Sequence, residues 1–219
     1  LDIRGHRTLD VGCGRGLIEP VLKEQGAAEY VGADLVRSFE QREAGPEKFC
    51  LAESGSLPFR DECFGSVLCF DAFEHFPDPA QAAREFARVL SPMGFFFLSI
   101  PNYFNMAGIV KWYEERFGSY EKNTWAPFGS WAPQAQEHFI TPWKVRRWFT
   151  GAGLKETALT GLDREVVSGV FPWQELKSLP EALRFRLQRH GGGLKRFLAE
   201  AVPTLSLHLF FRFDKPPEA

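Results

Sequence analysis

The stretch Leu9-Asp10-Val11-Gly12-Cys13-Gly14-Arg15-Gly16 constrains the fold of this chain more than any other. A short apolar run, Arg7–Val11, feeds three alternate glycines and then a helical pattern from about Leu17 to Gln25, with Pro20 near its first turn. A backbone that turns this tightly, and lets a ligand come close, has no room for a Cβ. Strand, glycine turn and helix together open a βαβ unit, and the next eighty residues keep that rhythm. Glu29–Ala33 reads as a second strand, and Glu47–Leu51, after the breaker Gly45-Pro46, as a third. Ser66–Phe70 reads as a fourth strand and Pro79–Leu90 as a helix with Asp78 as cap. Phe95–Ile100 is a fifth strand, apolar throughout, as a strand covered on both faces should be. The class is α/β with a parallel sheet.

The rhythm breaks at Pro101. From there to about Thr141 the chain is rich in aromatics, Gly and Pro, with one helix expected near Ala107–Phe117. Pro142–Gly151 reads as a helix with Thr141 as cap and proline at its first position, followed by a strand over Leu154–Leu159. Helices are expected around Trp173–Leu179 and Glu181–Arg189, then a Gly191-Gly192-Gly193 hinge and another short helix. Leu205–Phe213 is the closing strand. Phe 22, Trp 6 and Tyr 4 make 32 aromatics, and residues 103–149 hold 13 of them, including five of the six tryptophans. Tyr103–Gln136 therefore reads either as an insertion packed onto the sheet or as a lid whose rings wall a pocket, the latter being what the family resemblance of the motifs below implies. The expected organisation is a core over 1–102, a lid over 103–140, and completion of the sheet over 141–219 with a helical insertion at about 162–203.

Composition narrows the partners. The 219 residues, 44% hydrophobic with a formal net charge of −2, exclude collagen-like and disordered classes. Cys13, Cys50, Cys63 and Cys69 form no C-x-x-C pair and no Cys/His spacing, which favours reduced thiols in the cytoplasm and no structural zinc. No apolar run reaches the roughly 18–20 residues of a membrane span, and no signal peptide is expected. The start at Leu1 rather than Met leaves earlier sequence open. Residues 1–102 carry 10 basic and 16 acidic groups and residues 103–219 carry 16 and 12, so neither half is a nucleic-acid footprint. The cluster Lys177, Arg184, Arg186, Arg189, Lys195 and Arg196 reads as a solvated helix face, with an anionic partner or membrane surface as the alternative. Oligomeric state is not legible.

The chemistry begins at Asp34, directly after the second strand and 18 residues past Gly16. An acid there accepts hydrogen bonds from both ribose hydroxyls of an adenosine-containing cofactor; alone, it could equally be a helix cap. The dinucleotide fingerprint would want a glycine where Leu17 stands, which disfavours a nicotinamide cofactor.

With these landmarks the chain resembles the class I S-adenosylmethionine-dependent methyltransferases, in particular their small-molecule, methyltransferase type 11-like branch. The resemblance runs over Arg7–Asn102 and resumes over His138–Leu159. It is carried by LDVGCGRG (9–16), Asp34, LPF (57–59), DAFEHF (71–76), REFARVLSPMG (84–94), SIPN (99–102), HFITP (138–142) and GAGL (151–154). It implies a Rossmann-like, doubly wound, mainly parallel seven-stranded sheet with an antiparallel last strand, Leu205–Phe213. It further implies that Asp10, Gly12, Gly14 and Gly16 line the methionine and ribose part of S-adenosylmethionine. Asp34 would hold the ribose diol and Leu35 would pack on the adenine. Glu53 would meet the adenine amino group, Ser54 would offer its N–H, and Phe70 and Asp71 would border the methionine end.

Some positions depart from the family's pattern. The Ala52–Ser56 stretch leaves the register of the adenine acid open by one residue. Gly65 replaces a common acid, and Met93 replaces the first glycine of a usual Pro-Gly-Gly turn. A small-molecule acceptor is implied, with a base required only for a hydroxyl or a protonated amine. The base candidates are His75, His138 and Tyr103, with Glu74 beside them. His75 could instead brace its loop, or join Glu74 at a divalent ion, and His138 could instead pack beneath the lid. Three other readings compete: an aminopropyl transferase on the same fold, a non-catalytic cofactor-binding module, and a nicotinamide-dependent oxidoreductase.

Overall fold

Three consecutive phenylalanines can share one strand only where both faces of the sheet are covered, because successive side chains point to opposite sides. The structure, a computed structural model, describes residues 2–35, 48–118, 135–166, 169 and 192–217. Phe95 and Phe97 turn to one face, into a cluster with Ile3, Leu22, Tyr30 and Leu68. Phe96 turns to the other, its ring 4.6 Å from that of Phe149 and 5.2 Å from that of Phe86. Leu22 on the first side comes from one helix and Phe86 and Phe149 on the second come from two others, so the sheet is wound on both faces.

The elements run β1 (Arg7–Val11), α1 (Glu19–Glu24), β2 (Glu29–Asp34), β3 (Phe49–Leu51), β4 (Phe64–Phe70), α2 (Pro79–Val89) and β5 (Leu90–Pro101). They continue with α3 (Met106–Phe117), α4 (Pro142–Gly151), β6 (Lys155–Thr160), α5 (Gly192–Ala201) and β7 (His208–Asp214). One seven-stranded sheet has the order β3-β2-β1-β4-β5-β7-β6. Pairings from β3 through β5 are parallel. Gly94 lies level with Lys215 and Asn102 with Leu207, so β7 retreats as β5 advances and the two are antiparallel. This is the expected fold class, with strand order reversing about β1, where such sheets open a crevice at the strands' C-terminal ends.

Several boundaries differ from expectation, each for a local reason. Residues 16–18 turn before α1 begins, through Glu19 N–H to the Gly16 carbonyl at 3.2 Å, which shortens the helix expected from Leu17. The closing strand begins at His208 because Pro203–Leu205 coils into a 3-10 turn. Gly192 and Gly193 form the first turn of α5 rather than a hinge ahead of it. The expected helices at Trp173–Leu179 and Glu181–Arg189 lie outside the described residues, as do Glu47, Gly191 and the middle of the aromatic segment with Trp125 and Trp131. Asp78 does cap α2, accepting the Gln81 N–H at 2.9 Å.

The fifth strand starts at Leu90, not Phe95, because Ser91–Gly94 bulges within it. The register passes from Phe64↔Leu90 directly to Ser66↔Phe95. Met93 sits in that bulge at a left-handed φ of 63°, three-quarters exposed, its N–H bonded to the Lys215 carbonyl at 3.1 Å. A side chain in this conformation costs about 1–2 kcal/mol and buries nothing here. Met93→Gly is therefore expected to stabilise the fold by about 0.5–1 kcal/mol net of glycine's added chain entropy, raising Tm by a few degrees in a thermal melt.

By internal contacts the chain divides into two units. The first comprises Leu1–Ser99, Lys144–Ala158 and Phe211–Ala219, and the second Ile100–Trp143 and Leu159–Phe210. In the first, the aromatic core joins Phe73, Phe86, Phe96, Phe149 and Phe213. In the second, Asn105 caps α3 by accepting the Gly108 N–H at 2.8 Å, and the side-chain amides of Asn102 and Asn105 both donate to the Ser206 carbonyl. The rings that sequence places together divide accordingly. Phe149 enters the first unit's core, Tyr103 stacks on Phe139 at 4.5 Å, and Trp112, Tyr113 and Phe117 lie on the exposed side of α3.

Candidate functional site

In the first unit, the C-terminal ends of β1, β2 and β4 carry the cofactor candidates. Gly12, Gly14 and Gly16 all take left-handed φ values, 76°, 51° and 64°. Gly12 N–H donates to the Ala33 carbonyl at 2.8 Å, which ties the turn to the end of β2. A Cβ on Gly12 would come 2.4 Å from the Ala72 Cβ, whereas one on Gly14 would meet nothing within 4 Å. Gly12 is thus needed for packing, and Gly14 borders open space.

Asp34 stands where β2 ends, and its Oδ2 accepts the Gly14 N–H at 2.7 Å. The two sequence candidates are therefore directly joined. Ala52 donates to the Asp34 carbonyl at 2.9 Å, extending the β2–β3 ladder so that Glu53 and Ser54 leave the sheet beside Asp34 and Leu35. Glu53 and Leu35 are exposed, while Ser54 is buried.

Asp10 lies deeper. It is buried in β1 and accepts the Tyr30 hydroxyl from β2 at 2.7 Å. Burial, with the nearby Asp34 charge adding to it and the Tyr30 bond opposing, pushes its carboxyl from 3.8 up to about 7. Burial, with Asp10 and Asp34 nearby, also pushes the Cys13 thiol upward, which keeps it protonated and inert as a nucleophile. A folded-state value above the unfolded one means that the Asp10 contribution is complete below about pH 4 and is lost as pH rises through 7. Asp10→Asn, which keeps an oxygen for Tyr30, should flatten that decline in Tm between about pH 4 and 7.

At the end of β4, Phe70 is half-buried and Asp71 takes a left-handed φ of 46°. Ser99, which sequence reading passed over, holds it there. Asp71 N–H meets the Ser99 hydroxyl at 3.1 Å and the Ser99 hydroxyl donates to Asp71 Oδ1 at 2.7 Å. The chain then forms a 3-10 turn, Phe73–His75, in which Glu74 is buried and its Oε1 lies 3.7 Å from His75 Nε2. Among the described residues no group of three His, Cys, Asp or Glu side chains could hold a metal ion.

Tyr103 and His138 belong to the second unit. Tyr103 is buried and donates its hydroxyl to Glu137 Oε1. Glu137 Oε2 receives Lys111 Nζ at 3.1 Å, and the same ammonium bonds Glu115. His138 is half-buried. Glu137 and Lys111 were not candidates on sequence. A lysine in a helix whose neighbours are Trp112 and Tyr113 gives no sign that it turns inward.

The residues of the first unit suit an adenosine-containing cofactor. The turn offers backbone and open space at Gly14, and the acid beside it has the donor-free chemistry that a ribose diol requires. Comparison with known proteins gives the same direction. A family model described as "Methyltransferase domain" matches residues 9–98. The chain is 29% identical over 166 residues to a ubiquinone biosynthesis O-methyltransferase of Idiomarina loihiensis, covering 72% of this chain and 65% of that protein. It is 36% identical over 99 residues to methyltransferase GfsG of Streptomyces halstedii, covering 41% of this chain and 36% of that one. In both, the chain spans less than two thirds of the relative's length. Among solved structures, an S-adenosylmethionine-dependent methyltransferase from Mesorhizobium loti shares the fold, with a TM-score of 0.61 at 17% identity over 98% of this chain and 93% of that one.

Proposed function

We propose the following function for this chain, which belongs to the class I S-adenosylmethionine-dependent methyltransferases. It binds S-adenosylmethionine through the first unit and delivers the methyl group to a small-molecule acceptor, in the cytoplasm. The observation that carries this reading is the Gly14 N–H bond to Asp34, which joins a left-handed glycine turn to the acid at the end of the next strand.

S-adenosylmethionine, when bound, supplies a sulfonium methyl already activated for displacement. The chain's own part is approach and alignment, which in favourable cases is worth roughly 7–11 kcal/mol. Gly12, Gly14 and Gly16 let the backbone approach, with Asp10 below them. Asp34 accepts the two ribose hydroxyls through its carboxyl oxygens. Leu35 packs on the adenine, Glu53 and Ser54 serve its polar edge, and Phe70 with Asp71 borders the methionine end. Ser99 acts through Asp71 as a positioning residue.

The name of the Idiomarina relative, an O-methyltransferase, favours an oxygen nucleophile. A hydroxyl acceptor needs a proton acceptor, for which His75, His138 and Tyr103 are the candidates. Among the described residues no helix is long and apolar enough to cross a membrane. A thermal-shift screen tests the reading. S-adenosylmethionine should raise Tm more than decarboxylated S-adenosylmethionine, which keeps the adenosine, and NADH should not raise it. A shift with the decarboxylated compound alone would assign the chain to aminopropyl transfer instead.

A further inference from the structure

One stripe of α2 carries polar side chains that reach the loop after β3. Asp78, Gln81, Glu85 and Arg88 follow one another at spacings of three and four, beside the buried Ala82, Phe86 and Val89. Gln81 Nε2 donates to the Gly55 carbonyl at 3.2 Å, and Glu85 Oε2 accepts the Leu57 N–H at 2.8 Å. Arg88 donates to the Leu57 carbonyl at 3.0 Å, to the Phe59 carbonyl at 2.8 Å and to Asp61 Oδ1 at 2.7 Å. Glu85 and Arg88 also pair with each other, through bonds of 2.8 and 2.7 Å. All of these residues lie in the first unit.

The loop so held begins at the cofactor candidates. It leaves β3 at Ala52, whose N–H goes to the Asp34 carbonyl, and turns through Glu53–Ser56, closed by Ser56 N–H to the Glu53 carbonyl at 3.1 Å. A Cβ on Gly55 would come 3.3 Å from Gln81 Cγ, so helix and turn are in close contact. One end of the turn is thus fixed to the sheet beside Asp34, and the other to α2. Packing alone does not call for this arrangement. Apolar side chains would attach α2 to the loop without fixing where its backbone lies, because hydrophobic contact is non-directional. Bonds to the N–H and carbonyl of Leu57 do fix it, and bonds to charged groups are roughly twice as strong as neutral ones. The Arg88 bond holds the Glu85 carboxyl below the usual carboxylate range, against the opposing effect of burial, so the pair is charged at neutral pH.

We infer that Glu85 and Arg88, assisted by Gln81, are positioning residues that hold Glu53 and Ser54 in place beside Asp34 and so make the site select adenine over a base with a carbonyl at the position of the amino group. The inference rests on the S-adenosylmethionine reading, in which Glu53 meets the adenine amino group, and deepens it by placing control of base selectivity on α2. A carboxylate only accepts hydrogen bonds, so Glu53 favours an amino group and opposes a carbonyl oxygen there. The discrimination depends on where Glu53 stands, since misplacement by about 1 Å can cost about 10²-fold.

The test has two arms. In the ligand-free protein, backbone hydrogen exchange read by mass spectrometry should quicken at least about tenfold over residues 53–60 in Glu85→Leu/Arg88→Met, with β1 and β2 unchanged. Gln81→Leu, which cuts the Gly55 tie and leaves the Leu57 bonds, should give a smaller increase over the same residues. Exchange over 53–60 that matches wild type in Glu85→Leu/Arg88→Met overturns the brace.

In the second arm, calorimetry compares S-adenosylhomocysteine with S-inosylhomocysteine, in which a carbonyl replaces the adenine amino group. Wild type should prefer the adenosyl compound about 10²-fold, and Glu85→Leu/Arg88→Met by less than about tenfold. A merely structural loss would weaken both ligands together and leave their ratio unchanged. If that variant gives no cooperative melt, Arg88→Lys, which keeps the charge but not the forked contacts, replaces it in both arms with the same direction expected. A wild-type ratio near one, or a variant ratio equal to that of wild type, overturns the inference while cofactor binding stands. Failure of wild type to bind either compound removes the S-adenosylmethionine reading and the base selectivity with it, and the exchange arm still decides the brace.

Discussion

Asp34→Ala is expected to weaken S-adenosylmethionine binding about 10²–10³-fold in a calorimetric titration, with little change in the Tm of the ligand-free protein. Hydrogen bonds to a charged acceptor are worth about 1.5–3 kcal/mol each, and the carboxylate is assigned two hydroxyls. It also anchors the turn through the Gly14 N–H at 2.7 Å, so the substitution removes both a contact and part of the cradle's shape. Asp34→Asn keeps an oxygen for Gly14 but offers one acceptor fewer to the ribose, and should fall between, at about tenfold. Equal affinity for all three proteins would remove Asp34 from the site.

The second large effect separates two glycines that look alike in sequence. Gly12→Ala places a Cβ 2.4 Å from the Ala72 Cβ at a φ of 76°. Overpacking of about 1–3 kcal/mol and left-handed strain of about 1–2 kcal/mol combine, so the fold should lose about 2–5 kcal/mol and Tm should drop by about 5–15 °C. Ala72→Gly in the same chain should recover much of that loss, because it removes the atom struck. Gly14→Ala bears only the left-handed strain, since nothing lies within 4 Å of its Cβ. It should fold with a Tm within a few degrees of wild type and yet bind S-adenosylmethionine at least about 10²-fold more weakly, because the new methyl fills the space the ligand needs. If Gly14→Ala binds normally, the open space above the turn is not the cofactor's.

Legibility in the sequence followed physical range. The glycine turn and Asp34 were readable because both are local consequences of a strand ending in a tight turn, and a hydrogen bond joins them in the structure. The run Phe95–Phe97 announced a strand covered on both faces, and the rings do divide between two cores. The strand is expected only from Phe95, with Met93 in a Pro-Gly-Gly-like turn ahead of it, because a bulge and a turn share the same residues. Only the pairing of Phe64 with Leu90 distinguishes them, and that pairing spans distant sequence.

Ser99, Lys111 and Glu137 were missed for a related reason. Each matters through a partner 26 or more residues away, Asp71 for Ser99 and each other for the remaining two. No periodicity reports such a contact. Among the described rings of the aromatic segment, Phe149 joins a core, Tyr103 and Phe139 flank Lys111, and Trp112, Tyr113 and Phe117 lie on an outward helix face.

The most direct measurement is a calorimetric titration of the wild-type chain with S-adenosylmethionine, run beside NADH. The cradle at Gly12–Gly16 and Asp34 predicts one molecule of S-adenosylmethionine bound per chain, displaced by S-adenosylhomocysteine, and no binding of NADH. Absence of S-adenosylmethionine binding, or tighter binding of NADH, would contradict it.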